Sequence, residues 1–180
     1  HFQNDHVHSN LQDEVSTEFQ NVLSVFEANG IDVQVFEDKQ DVLPDAIFPN
    51  NWISASPSGV VTLYPMYAEN RRKEVREDVV KWVMEKTESI EKVDMTHEVE
   101  NNYFLEGTGS IVFDHFSKKA YACESIRTKI ALLENYCEFI GYTPISFESV
   151  DLNGNQIYHT NVMMSIAERY CLINLDSIQN

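Results

Sequence analysis

Between Ser9 and Ala28 the apolar residues Leu11, Val15, Phe19, Val22, Leu23 and Phe26 recur at the three-to-four-residue interval of one helix face. The spacing predicts a helix over 9–28, closed by Asn29 and Gly30, because a helix end favours residues that tolerate left-handed backbone. IDVQVF at 31–36 alternates apolar and polar side chains and predicts a strand. Leu43 to Ser54 reads as a further extended stretch, since Pro44 and Pro49 oppose helix there. Ser56, Pro57, Ser58 and Gly59 supply a turn, so VVTLYP at 60–65 folds back as the second strand of a hairpin. An amphipathic helix is expected from Arg71 to Lys86, with Val75, Val79, Trp82 and Val83 on one face and charge on the other. The short strand SIEKVDM follows.

The same order then returns. GSIVFDHF, a turn at SKK and AYACES make a second hairpin; a helix spans Thr128 to Ile140, stops at Gly141, and leads into the strand TPISFESV. A third round opens with NVMMSIAE and RYCLINLDSI. Aligned on their first strands, the rounds place Asn51 before WISAS, Glu106 before GTGSIVF and His159 before TNVMMSI, at intervals of 55 and 53 residues. A hairpin-helix-strand unit of this size cannot cover both faces of its sheet alone and must pack on its neighbours. Singly, Asn51 is an ordinary turn residue, Glu106 a surface charge and His159 a strand-end histidine. Their shared phase changes that reading, because a ring of units brings equivalent positions together at one end of its axis.

Composition narrows the partners. The 29 acidic residues against 13 basic ones leave a formal net charge of −16, which repels nucleic acid and anionic lipid and suits a neutral or cationic small molecule. No apolar run reaches the ~18 residues of a membrane span, and the polar start HFQNDHVHSN lacks signal-peptide character, so a cytoplasmic protein is expected. Cys123, Cys137 and Cys171 are odd in number and lack CxxC spacing, which predicts reduced, mostly buried thiols. His6 and His8 form an HxH pair with too few ligands for a metal site, so no metal is expected.

The segments PDAIFPNNW at 44–52, YPMYAENRR at 64–72, FLEGTGS at 104–110 and IYHTNVMM at 157–164 resemble the amidinotransferase, or guanidino-group-modifying, superfamily. The resemblance runs over nearly the whole chain and is nearest to the bacterial arginine deiminase-related branch, which hydrolyses citrulline or dihydrolyses arginine. It implies an α/β pentein propeller of five hairpin-helix-strand units. About three are expected here, within one partial domain over 1–180: roughly 44–97, 103–151 and 157–180, the last truncated. Five units need about 270 residues. The chain is therefore expected to be part of a longer enzyme, and its exposed strand edges to associate with the remainder of the propeller or with further copies of the chain.

The resemblance further implies a cysteine hydrolase without cofactor. A thiolate attacks the amidine or ureido carbon, His159 serves as general acid and base, and Glu106 is the acidic partner. None of the three cysteines suits the nucleophile, which is expected outside the chain. Arginine deiminases carry aspartates at the positions of Asn51 and Asn161; amides there suit a neutral ureido group or a second hydrolytic step, favouring citrulline or two-step arginine hydrolysis. Arg71, or its neighbour Arg72, is expected to clamp the substrate carboxylate and Asp45 to meet the α-amino group. Arginine deimination, dimethylarginine hydrolysis and amidino transfer are the neighbouring activities. A non-catalytic binding module, the role of the same propeller in a ribosome-subunit anti-association factor, is the alternative from another class.

Overall fold

A computed structural model describes residues 8–37 and 43–179, with side chains from Asp13 onward in the first helix. The chain divides into two compact units, His1–Glu37 and Asp38–Asn180. In the first, helix α1 spans His8–Ala28. Gly30, at φ +73°, ends it: the Gly30 and Ile31 amides donate to the carbonyls of Glu27 and Phe26, satisfying acceptors the last turn would leave open. IDVQVF forms no strand. Alternation fixes which side chains share a face, but a strand also needs a ladder of backbone hydrogen bonds.

The second unit contains the repeats. Strands β1 (Ile53–Ala55) and β2 (Val60–Leu63) form an antiparallel hairpin with Ile53 opposite Leu63. Helix α2 (Glu77–Lys86) then carries the chain to β3 (Glu91–Asp94), which lies parallel to β2. The short helical turn α3 (Gly107–Ser110) introduces a second hairpin of β4 (Val112–Asp114) and β5 (Lys119–Cys123). Helix α4 (Ile130–Ile140) crosses over to β6 (Thr143–Ser149), again parallel to the second hairpin strand. β7 (Met164–Ala167) and β8 (Tyr170–Ile173) make the third hairpin, and β9 (Ile178–Gln179) joins the end of β6, Ile178 opposite Ser149.

The core lies where α4 covers the second sheet. Leu132, Leu133, Tyr136 and Cys137 occupy the inner face of α4 and pack with Ala120, Ala122, Leu105, Ile111 and Tyr64. Each fully buried leucine of this kind contributes about 1.5–3 kcal/mol. Gly141, left-handed at φ +74°, stops α4 as expected.

Other expected elements differ as well. Residues 44–51 are not extended: they turn, and Pro49–Asn51 forms a 3-10 helix with Pro49 in its first turn, where a missing N–H costs nothing. The helix expected over 71–86 breaks. Arg71–Glu74 is a 3-10 turn, whose tight winding stacks residues i and i+3, here the ion-paired Arg71 and Glu74; Val75 and Arg76 are extended before α2 begins. The start of GSIVFDHF belongs to α3, and that of NVMMSIAE to the 3-10 turn Thr160–Val162.

Candidate active site

Each hairpin is entered through a short helical turn, and these turns set the site. Glu106 and His159 both stand immediately before their turns, while Asn51 is the last residue of its own. Glu106 and His159 thus take like positions ahead of their turns, and Asn51 sits a turn later in its own. All three still converge. His159 Nε2 lies 2.7 Å from Glu106 Oε2, and the Asn51 side-chain amide lies 3.4 Å from the same Nε2. Exposure is 0% for Glu106, 4% for Asn51 and 7% for His159.

The glycines of FLEGTGS permit this approach. Gly107 has φ +45°, and a Cβ there would sit 2.3 Å from the Asn50 carbonyl oxygen. A Cβ on Gly109 would lie 2.7 Å from Asn51 Nδ2 and 3.1 Å from His159 Cε1 and Nδ1. Glycine at 109 thus lets the loop close on Asn51 while keeping a side chain off the Nδ1 edge of the imidazole.

Glu106 is held as an anion. Burial pushes its carboxyl upward, but the His159 hydrogen bond, the Tyr67 amide donating at 3.0 Å to Oε1, and the charge of Arg127 outweigh burial and hold it below the ordinary glutamate value. An ionised carboxylate only accepts, so the proton between the pair belongs to His159 Nε2, and Nδ1 is the nitrogen left for chemistry.

Arg127 was not singled out in the sequence. Its Nη1 donates to Glu106 Oε2 at 3.2 Å, its guanidinium lies 4.6 Å from the Tyr158 ring centroid and 6.0 Å from that of Tyr67, and its buried Nε has no partner. The signal was present: Arg71 and Arg72 drew attention as arginines between the second hairpin strand and the helix, and Arg127 occupies that place in the second repeat.

The other expected contacts fall elsewhere. Arg71 is 4% exposed, paired with Glu74 at 2.9 Å, and donates to the carbonyls of Asp45 and Phe48, so its guanidinium braces the loop that carries Asn51. A carboxylate clamp at Arg71 would have to displace that buried pair. Arg72 donates to the carbonyls of Met66 and Tyr67. Asp45 is half-buried and meets Arg71 through its backbone. Asn161 is exposed and lines an open groove of about 410 Å³ along the β7–β8 hairpin, with no hydrogen bond to Glu106 or His159.

The thiols occupy separate places. Burial pushes Cys137 up to about 11, which disfavours a thiolate. Cys123 is buried, its amide donating to Thr160 Oγ1 and its thiol to the Ile157 carbonyl, and Cys171 is exposed on β8. Among the described residues, no three His, Cys, Asp or Glu side chains gather as metal ligands, and no helix is long and apolar enough to cross a membrane. His6 and the His8 side chain lie outside the described residues.

A family model for N,N dimethylarginine dimethylhydrolase, eukaryotic, matches residues 1–180. The chain belongs to this family, within the pentein amidinotransferase superfamily. Solved structures share its mixed α/β fold. The N-terminal domain of ArgZ, a cyanobacterial arginine dihydrolase, in a cysteine-to-serine form bound to substrate, is similar at TM-score 0.73 and 17% identity, over 93% of this chain and 58% of that domain. Full-length ArgZ is similar at TM-score 0.72, with 25% of its length covered. A dimethylarginine dimethylaminohydrolase carrying a 4-chloro-2-hydroxymethylpyridine adduct is similar at TM-score 0.61 and 14% identity, over 87% of this chain and 58% of that one. No curated protein matches. The dimethylhydrolase family chain described here thus spans little more than half the length of the domains it resembles.

Proposed function

We propose that the chain supplies the acid–base and orienting part of a C–N hydrolase for a linear amidine or ureide of the arginine and citrulline type. The observation that carries the reading is the buried Glu106–His159 contact, made between equivalent entry points of two repeats. In this reading the units belong to a pentein propeller, and further units continue the parallel pairing from the edge of β8. The nucleophilic cysteine comes from that part of the protein, outside these 180 residues.

The thiolate adds to the planar amidine or ureido carbon. His159 takes the thiol proton on Nδ1 as the thiolate forms, passes it to the departing nitrogen, and later takes a proton from the water that resolves the thio-intermediate. Anionic Glu106 stabilises the imidazolium present before the nitrogen is protonated and after the water gives up its proton. The carboxylate clamp passes from Arg71 to Arg127, whose side chain is 26% exposed beside Tyr67 and Tyr158.

Asn51, beside His159, favours a neutral ureido group, hence citrulline or two-step arginine hydrolysis with release of ornithine and ammonia. Family membership supports dimethylarginine as the second reading. The full-length protein supplied with arginine, citrulline and dimethylarginine in turn, with ammonia, ornithine and dimethylamine measured, separates them. Undiminished turnover by His159→Ala would overturn both.

A further inference from the structure

We infer that Ser110 is the positioning residue of the site, holding Glu106, Arg127 and the His159 turn in one frame. The inference rests on the reading of Glu106 and His159 as the acid–base pair. Ser110 is 0% exposed, and its hydroxyl uses its full capacity of one donor and two acceptors. It accepts from the Glu106 backbone N–H at 3.0 Å and from Thr128 Oγ1 at 2.7 Å, and donates to the Arg127 carbonyl at 3.1 Å. Thr160 Oγ1 donates to the Ser110 carbonyl at 2.6 Å and accepts from the Cys123 backbone N–H at 2.8 Å. One residue therefore fixes the backbone of the carboxylate, the backbone of the guanidinium and the residue after the imidazole.

A second buried hydroxyl cluster gives the comparison. Thr62, Tyr136, Tyr64 and Ser54 are linked by hydrogen bonds of 2.7–3.0 Å, none of them to Glu106, Arg127 or His159. Thr62 is 1% exposed, so deleting its hydroxyl disturbs the interior to a similar degree without touching the site. Removing the Ser110 hydroxyl instead strands three polar groups around the pair, and displacements near 1 Å in such a frame cost about a hundredfold in rate.

The experiment compares Ser110→Ala, Thr128→Val and Thr62→Val in the full-length protein. It follows the hydrogen-bonded imidazole N–H resonance of His159 by NMR, with kcat and KM for whichever substrate is turned over. Ser110→Ala is expected to shift or abolish the resonance and lower kcat by about a hundredfold, Thr128→Val to do the same in smaller measure, and Thr62→Val to leave both unchanged at comparable loss of Tm. Partial recovery in Ser110→Cys, which restores a weak donor, is the expected rescue. An unchanged resonance in folded Ser110→Ala overturns the inference, as does an unchanged resonance in Thr128→Val should the alanine variant not fold. The resonance needs no substrate, so it decides this point even where the proposed hydrolysis fails.

Discussion

His159 Nε2 and Glu106 Oε2 lie 2.7 Å apart across 53 residues of sequence, in a site from which the carboxylate is fully excluded from solvent. Such a contact is unsafe for a protein unless both protonation states are specified, and the surroundings specify one: a carboxylate stabilised by an amide, a guanidinium and an imidazole N–H. The histidine is left with one ring nitrogen for proton transfer.

Because Glu106 is held below its ordinary value, its ionised form stabilises the fold above the unfolded pKa of about 4.3, and that contribution disappears as pH falls through the depressed folded value. Wild type is expected to exceed Glu106→Gln in Tm at neutral pH, with the difference shrinking as pH falls below about 4 and lost once it passes beneath the depressed folded value. Thermal melts of both proteins across the acid range check it. A difference that grows toward low pH would reverse the assigned sign.

Gly109→Ala places a methyl 2.7 Å from Asn51 Nδ2 and 3.1 Å from the His159 ring. Overpacking of this kind is expected to cost about 1–3 kcal/mol, measured by urea denaturation, and to depress turnover of the full-length protein more than stability. Gly107→Ala should be worse, since its Cβ meets backbone at 2.3 Å and its φ is +45°.

Glu74→Ala leaves Arg71 buried without its carboxylate partner, which is expected to cost about 3–5 kcal/mol. Arg71 also shares the Phe48 carbonyl with the Asn51 amide, so the loss should loosen Asn51. Denaturation of Glu74→Ala and of the double variant Glu74→Ala with Arg71→Met tests the cause: the double variant should recover part of the loss.

Native alkylation of the 180-residue chain by itself at pH 8 should label Cys171 and spare Cys123 and Cys137, the latter because burial pushes it to about 11. Intact mass is expected to show one adduct under native conditions and three in denaturant. Rapid native labelling of Cys137 would contradict its placement inside α4.

The sequence alone determined the features that depend on neighbours a few residues away. The helical rhythm of 128–140 and its stop at Gly141, the hairpin turns, and the recurrence that aligns Glu106 with His159 were all legible, because period, capping and turn chemistry are local properties. Local pattern also misled in specific places. IDVQVF alternates like a strand but forms none, and Arg71 to Lys86 is amphipathic throughout yet breaks where Arg71 folds onto Glu74. Tertiary structure decided what touches what: that Arg127 meets Glu106, that Arg71 serves the loop, that Asn161 faces an open groove, and that Ser110 ties the turns together. Those outcomes depend on which groups a long-range packing brings within about 3 Å, where a hydrogen bond forms or fails. The phase of Glu106 and His159 placed them at like points of two repeats; only the packed turns, with glycines between them, closed the distance to a bond.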